Sequence, residues 1–412
     1  MCKIGCRILF VMLLILPFNT MALAGEPQIV GETAVLLDAK SGTVLYGKEE
    51  HKKMYPASTT KVLTALLALE RSQLTEQVTI GPNPSKAGGT SIWLQEGEQL
   101  TLEELLHALM LNSANDAGVA IAEHIAGSVD KFAELSNERA KQIGAKGTHF
   151  TNPHGMPGKE HYSTAYDLAL IGREALKNQD LRKIITTINY EIPRADPEAQ
   201  KHLFNHNKLL WSKTYGYKGA TGLKTGYTVE AGQCIIASAE RDGMELIAVV
   251  LRSEGFNIWT DASKLLDYGF ANFTSRQLVK GGQVMADVPV QHGKGSVKLL
   301  TKNDLYYTFP KEGNIDLHVT TEPDEEVSAP VTKGEVLGAV VIRKGEEIVG
   351  KVPLVAHAAV QRDWKMTLTT WFKWGLPLLL FFLWLRRRIY LRRKRQQRLA
   401  RRRKYYNYPE PQ

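Results

Sequence analysis

Thr33-Ala34-Val35-Leu36-Leu37, a turn over Asp38 to Gly42, and Thr43-Val44-Leu45-Tyr46 read as a hairpin: two β-rich runs joined by turn formers. Strand patterning then gives way to helical patterning. Lys61 to Glu70 is almost continuously helix-forming, and Leu102 to Leu111 carries apolar residues at helical spacing. Val119 to Ile125 and Tyr166 to Leu176 read in the same way. Strands return at Gln233 to Ala239 and Leu246 to Leu251. Strands at both ends of a helical middle predict an α/β unit whose terminal strands share one sheet.

From about Ser275 to Val360 the helical patterns vanish. Val284 to Val290, Val297 to Leu300, Ile315 to Val319, Val336 to Ile342 and Ile348 to Val355 alternate with turn-rich stretches, and Lys344-Gly345-Glu346 reads as a hairpin tip. This is a small all-β domain without a catalytic constellation. The expected organisation is a signal peptide over 1–24, an α/β catalytic domain over 25–274, a β-rich domain over 275–363, a transmembrane anchor over 366–385 and a basic tail over 386–412.

The ends of the 412-residue chain account for its charge. Of 52 Lys and Arg, 12 fall between Arg386 and Lys404, and Lys3 and Arg7 lie at the start. Outside these ends, 38 basic residues face 42 acidic ones, so a basic nucleic-acid-binding domain is excluded. A hydrophobic content of 43% excludes wholesale disorder. Lys3 and Arg7, the apolar run Ile8 to Pro17 and Ala22-Leu23-Ala24 have the three parts of a secretory signal, which predicts a mature chain from Gly25. Cleavage leaves Cys234 as the only cysteine. It lies in an apolar run and reads as a buried, inert thiol. Met366 to Leu385 carries one charge, Lys373, in 20 residues. As a helix it is about 30 Å long, enough to span a bilayer with the basic tail on the cytoplasmic side. The alternative is a helix lying on the membrane surface.

Three short motifs carry the chemistry. Ser58-Thr59-Thr60-Lys61 opens the first helix, where residues three apart share a face and the amine can reach the hydroxyl. A desolvated lysine near another cation can serve as the base that a serine nucleophile needs. Ser113-Ala114-Asn115 closes the helix ending at Leu111, and offers a hydroxyl to relay a proton and an amide to orient the lysine and a substrate carbonyl. Lys224-Thr225-Gly226, just before the strand near Gln233, offers a cation, a hydroxyl and room for a substrate backbone. A second match, Ser128-Val129-Asp130-Lys131, reads only as a helix cap. His202 and His206 have helical metal-ligand spacing, but lack a zincin glutamate and a nearby third ligand, so no metal site is expected.

In this order the motifs are the signature set of penicillin-binding proteins and serine β-lactamases. The chain resembles the low-molecular-mass D-alanyl-D-alanine carboxypeptidases from about Ala34 to Phe270. Further matching segments are Thr151-Asn152-Pro153-His154-Gly155, His161-Tyr162-Ser163-Thr164-Ala165-Tyr166-Asp167 and Leu265-Leu266-Asp267-Tyr268-Gly269-Phe270.

The resemblance implies a β-lactamase/transpeptidase-like α/β fold, an antiparallel sheet with a helical region, followed by the β domain and membrane attachment. It also implies acyl transfer, with Ser58 as nucleophile, Lys61 as base and Ser113 as proton relay. Asn115, Lys224, Thr225, Gly226 and Tyr227 would bind a peptidoglycan stem peptide. Backbone N–H groups of Ser58 and Tyr227 would form the oxyanion hole, β-lactams would act as inhibitors, and no metal or organic cofactor is needed. Two arginines common in the family are absent, from Asn205-His206-Asn207 and from Asn257 to Ala262. The rival readings are a peptidoglycan endopeptidase using the same residues and a non-enzymatic penicillin sensor or wall-binding protein. A class A β-lactamase is disfavoured because no Glu-x-x-Leu-Asn segment lies between Asn115 and Lys224.

Overall fold

A computed structural model of the chain describes residues 25–194, 196–313 and 315–406. The signal-peptide segment lies outside the described residues. The chain forms two compact units, the first comprising the residues to Arg276 together with Tyr307–Gly313.

The first unit is built on a five-stranded antiparallel sheet. Its order is Val44–Lys48, Thr33–Asp38, Met244–Ser253, Gly232–Arg241 and Ala220–Thr228. The opening hairpin and the two late strands are therefore neighbours, as the sequence predicts. Thr33–Asp38 is buried throughout, because both faces of the sheet are covered. Its alternation sends Val35 and Leu37 into the core shared with helices Lys61–Arg71, Leu102–Leu111 and Ala165–Ala175. Ala34 and Leu36 point into the other layer, with Ile258, Leu265 and Leu266 of the helix Asn257–Asn272.

Local chemistry sets the helix ends. Thr101 and Glu104 form a reciprocal capping box at the start of Leu102–Leu111. Ser128 caps Val129–Ile143 by accepting from Lys131 N–H, which confirms the bland reading of the second Ser-x-x-Lys match. Gly127 and Gly144 take the left-handed conformation that ends the helices Asn115–Ala126 and Val129–Ile143.

Tyr307–Gly313, which sequence pattern places in the β-rich region, belongs to the first unit. Thr308 donates from Oγ1 to the buried carboxylate of Asp38 at 2.9 Å, and Lys311 donates from Nζ to Phe270 O at 2.6 Å.

The second unit holds another antiparallel sheet, ordered Val284–Pro289, Ser296–Thr301, Glu347–Ala356, Val336–Lys344 and His318–Pro323. Val297, Leu299, Val340, Ile342, Val352 and Leu354 form its core. The strand expected at Ile315 to Val319 runs instead over His318–Pro323, whose side chains are mostly exposed and carry little hydrophobic signal. At the C-terminus, helix Trp364–Thr370, a π-helical turn over Trp371–Gly375 and helix Leu376–Tyr406 follow one another. Among the described residues no helix is long and apolar enough to cross a membrane.

Candidate active site

Ser58 sits in a single 3-10 turn, Ala57–Thr60, immediately before the helix Lys61–Arg71. Side-chain hydroxyls close the turn: Thr59 donates to Pro56 O at 2.6 Å and Thr60 to Ala57 O at 3.0 Å. Ala57 adopts φ +48°, a left-handed conformation that costs a non-glycine residue roughly 1–3 kcal/mol. The surroundings enforce it. A Cβ on Gly155 would lie 1.8 Å from Ala57 O, and one on Gly226 would lie 2.7 Å from Ser58 N. Both glycines let neighbouring backbone close directly onto the serine turn.

Behind the turn, Thr151 N–H donates to His161 Nδ1 at 3.0 Å. The proton of this imidazole is thereby placed on Nε2, 3.0 Å from Thr60 Oγ1. Burial, helped by its cationic-type neighbours His149 and Lys61, lowers the pKa of His161 to about 4, so the ring is neutral.

Lys61 is fully buried, and its Nζ contacts three oxygens: Ser58 Oγ at 2.9 Å, Asn115 Oδ1 at 2.7 Å and His154 O at 2.7 Å. Asn115 is fixed in orientation because its Nδ2 donates to Gly88 O at 2.8 Å. Two of the three oxygens can therefore only accept. A neutral amine has two N–H groups and one lone pair, and this arrangement aims the lone pair at the Ser58 hydroxyl. Burial pulls the Lys61 pKa well below its ordinary value, and the charge of Lys224 lowers it further, while Asp116 opposes both.

Ser113 links two helices rather than only ending one. It lies at φ +60° between Leu102–Leu111 and Asn115–Ala126 and is buried. Next to Asn115, the buried carboxylate of Asp116 accepts from Ser91 Oγ at 2.5 Å, Ile92 N at 3.1 Å and Leu94 N at 3.0 Å. Asn115 N in turn donates to Thr90 O at 2.7 Å. One helix start thus holds the loop that brings Thr90 to the site.

Sequence pattern places Lys224-Thr225-Gly226 ahead of a strand, but the motif lies inside one. Ala220–Thr228 is the last strand of the sheet order, with Lys224 paired to Ile236 and Tyr227 to Gln233. Two glycines, a lysine and three threonines interrupt the apolar alternation that would have revealed it. Its outer edge can receive an extended peptide. Lys224 is buried, donates from Nζ to Thr225 O at 2.9 Å, and has a pKa lowered to about 7 by burial.

Ser58, Ser113, Thr225, Gly226 and Tyr227 line one cleft of about 280 Å³, with Thr90, His206, Gln233 and Trp259. Lys61 and Asn115 join it through their bonds to Ser58 and to each other. All eight residues singled out in the sequence are thus assembled around Ser58 and the Lys224 strand.

Thr90, Gln233 and Trp259 were not legible in the sequence, because none belongs to a motif. His202 lies in the short strand His202–Phe204, so the helical spacing assumed for it and His206 does not exist. His206 instead lines the cleft beside Ser58, its pKa lowered to about 4 by burial and then by Lys224. Cys234 is fully buried with its pKa pushed up to about 12 by burial, consistent with an inert thiol. A larger cleft of about 650 Å³ in the second unit, lined by Glu322, Asp324 and Lys351 among others, contains no serine, cysteine or histidine.

The D-alanyl-D-alanine carboxypeptidase family model matches residues 20–255, and that of the penicillin-binding protein 5 C-terminal domain matches residues 273–362. The chain is 34% identical over 339 residues to D-alanyl-D-alanine carboxypeptidase DacF of Bacillus subtilis, covering 80% of this chain and 86% of that protein. It is 32% identical over 345 residues to DacA of Escherichia coli, covering 80% and 84% respectively. Among solved structures, penicillin-binding protein 5 from Haemophilus influenzae aligns with a TM-score of 0.68 at 32% identity, covering 82% of this chain and all of that one. PBP3 from Streptococcus pneumoniae, described as a peptidoglycan synthesis regulatory factor, aligns at 0.64 and 26% identity, covering 81% and 100%.

The contact between Gly155 and Ala57 gives a direct test of how the serine turn is held. Gly155→Ala should lower the unfolding free energy by more than about 2 kcal/mol, since both the left-handed φ and the approach to Ala57 O exclude a methyl group. Chemical denaturation of the variant beside the parent measures it. A loss under about 0.5 kcal/mol would contradict this packing.

Proposed function

The chain belongs to the D-alanyl-D-alanine carboxypeptidase family, and on that premise we propose that Ser58, Lys61 and Ser113 carry its reaction. The enzyme is a serine-type D-alanyl-D-alanine carboxypeptidase that removes the terminal D-alanine of peptidoglycan stem pentapeptides and is inhibited by β-lactams. The observation that carries the residue assignment is the bonding of Lys61, whose two pure acceptors leave its lone pair for the Ser58 hydroxyl.

Neutral Lys61 takes the Ser58 proton as Oγ attacks the carbonyl between the two D-alanines. The oxyanion is received by backbone N–H groups of Ser58 and Tyr227, where one such donor contributes about 3–4 kcal/mol to the transition state. Collapse breaks the C–N bond, and the proton on Lys61 passes through the Ser113 hydroxyl to the departing amine. Asn115 holds Lys61 in register, and Gly226 gives the substrate backbone access to the strand. Lys224 and Thr225 hold the terminal carboxylate. Neither neutral His206 nor Trp259 supplies a positive charge, so this recognition rests on Lys224. Water then attacks the ester, giving its proton to Lys61; the acyl C–O bond breaks, and Lys61 returns that proton to Ser58 Oγ.

The peptidoglycan substrate places the enzyme's work outside the cytoplasm. We further propose that residues 25–274, together with Tyr307–Gly313, are the catalytic domain and the remainder of 275–363 a β-rich spacer, and that Met366 to Leu385 crosses the membrane with the tail from Arg386 in the cytoplasm. Leu378 to Trp384 are all about half exposed or more, and 12 basic residues follow by Lys404. The full chain should stay with membranes on alkaline carbonate extraction, while a chain ending at residue 362 should not. Release of the full chain would favour the surface-lying alternative.

Incubation of the full chain in detergent with a stem pentapeptide ending in D-Ala-D-Ala, read by mass spectrometry, should show loss of one alanine. Ser58→Ala should abolish that loss and covalent labelling by penicillin. Turnover by Ser58→Ala at the parental rate would overturn the assignment.

The two lysines give the pH dependence its sign. Activity should rise with pH as Lys61 loses its proton, and fall as Lys224, with a free-enzyme pKa of about 7, loses the charge that holds the carboxylate. In a kcat/KM profile, Lys224→Arg should remove the alkaline limb, because arginine stays protonated. An unchanged limb would assign it to another group.

A further inference from the structure

Beyond Tyr227 the edge strand ends in a turn over Val229, Glu230 and Ala231, and a second cleft of about 460 Å³ opens there. Four cations line it, Lys52, Lys53, Lys159 and Arg252, against two carboxylates, Glu32 and Glu230. Lys52 and Arg252 share Glu32, at 2.9 and 3.4 Å, and the Lys53 ammonium stands 4.1 Å above the ring of Tyr162. The lining therefore carries two more positive than negative charges.

Arg252 is placed there at a cost. Gln233 pairs with Ser253 and Ile235 with Val250, so Leu251 and Arg252 together oppose Cys234 in a β-bulge. Arg252 adopts φ +53°, in the left-handed region. A Cβ on Gly232 would lie 3.1 Å from Arg252 Cγ, so the facing position is cleared for this side chain. Bulges re-aim side chains, and strained backbone of this kind marks sites of use.

The cleft's position identifies what could fill it. Tyr55, on its wall, precedes Ser58 by three residues, and Glu230 follows Tyr227 by three. A peptide with its scissile carbonyl at Ser58 and its terminal carboxylate at Lys224 and Thr225 runs antiparallel to the strand, past Gly226 and Tyr227. At about 3.3 Å per residue, its second and third residues upstream of the bond reach the turn. In a stem peptide these are the diamino acid and a γ-linked D-glutamyl residue. The γ-linkage leaves the glutamyl α-carboxylate free, and diaminopimelate, unlike lysine, carries another.

We propose that the cleft bounded by Lys52, Lys53, Lys159 and Arg252 is an anionic subsite that binds a free carboxylate of the stem peptide upstream of the scissile bond. The inference rests on the carboxypeptidase reading and extends it to substrate choice: the enzyme prefers stems whose carboxylates are not amidated.

The test compares four pentapeptides ending in D-Ala-D-Ala on the full chain in detergent: lysine or diaminopimelate at the third position, each with the glutamyl α-carboxylate free or amidated. Carboxylate-bearing peptides should have a kcat/KM roughly tenfold higher than the lysine peptide with amidated glutamate. The preference should shrink as salt is raised and fall to near unity in Arg252→Gln with Lys159→Gln. A difference within the lysine pair points to the glutamyl group, and one between the two amidated peptides to the diaminopimelyl group. Equal values for all four, or a preference that survives the double variant, would overturn the subsite.

Calorimetric binding of the same peptides to Ser58→Ala decides the question without turnover, and equal affinities there would also overturn it. Failure of the underlying reading looks different: diacetyl-L-Lys-D-Ala-D-Ala, which carries neither upstream carboxylate, would not be cleaved, and penicillin would not label Ser58.

Discussion

The first unit is organised around a buried amine. A lysine with no exposed surface would normally be a liability, because taking an ammonium from water into protein costs several kcal/mol unless it is bonded on every side. Lys61 meets that requirement with three oxygens from three separated parts of the chain: the serine turn, the start of the helix Asn115–Ala126 and the loop at His154. Each oxygen is itself held. Asn115 is tied to Gly88, while Asn152 Oδ1 accepts from Gly155 N at 2.7 Å to shape the loop carrying His154. The sheet, the helical layer and two loops have to converge before this one side chain can be accommodated.

The same convergence explains where strain is tolerated. Ala57 and Ser113 are non-glycine residues with positive φ, and they flank the two side chains that meet at Lys61. The rest of the packing over-determines them. Ala57 is fixed by the Thr60 hydroxyl and by Gly155, and the Ser113 turn by Ala114 N, which donates to Ala108 O at 3.1 Å, and by Asn115 N bonded to Thr90 O. His161 contributes as a neutral ring that orients Thr60. The rigidity of the site is therefore a property of backbone-to-backbone approach, which glycines at 155 and 226 permit and which no motif spelling records.

Much of this was open to reading before the structure. Alternation in Thr33–Asp38 and helical periodicity in Lys61–Arg71 are local signals, and the Ser58 and Lys61 contact expected from helical spacing forms although Ser58 sits in the 3-10 turn just before that helix. The edge strand Ala220–Thr228 was hidden because its chemistry displaced its hydrophobic pattern. Thr90 and Trp259 reach the cleft only through tertiary contacts, the first by way of Asp116 and the second from a helix on the far layer of the sheet. Tyr307–Gly313 joins the first unit through Thr308 and the buried Asp38, a long-range pairing for which a sequence offers no periodic trace.

Two buried lysines serving one cleft raise the question of which stays charged. Burial penalises both, but not equally. Lys224 is lowered by desolvation alone, to about 7, whereas Lys61 is lowered by desolvation and then by the charge of Lys224. Asp116 opposes the loss of charge on Lys61, yet its oxygens are committed to Ser91 and to the backbone N–H groups of Ile92 and Leu94, so it acts without a direct bond to the amine. Lys61 is thus the first to give up its proton, and Lys224 keeps its own below neutral pH. One neutral amine beside the proposed nucleophile and one cation at the proposed carboxylate site is the division of charge that serine acyl transfer on a C-terminal peptide requires. It arises from unequal neighbours, since the two residues are chemically identical.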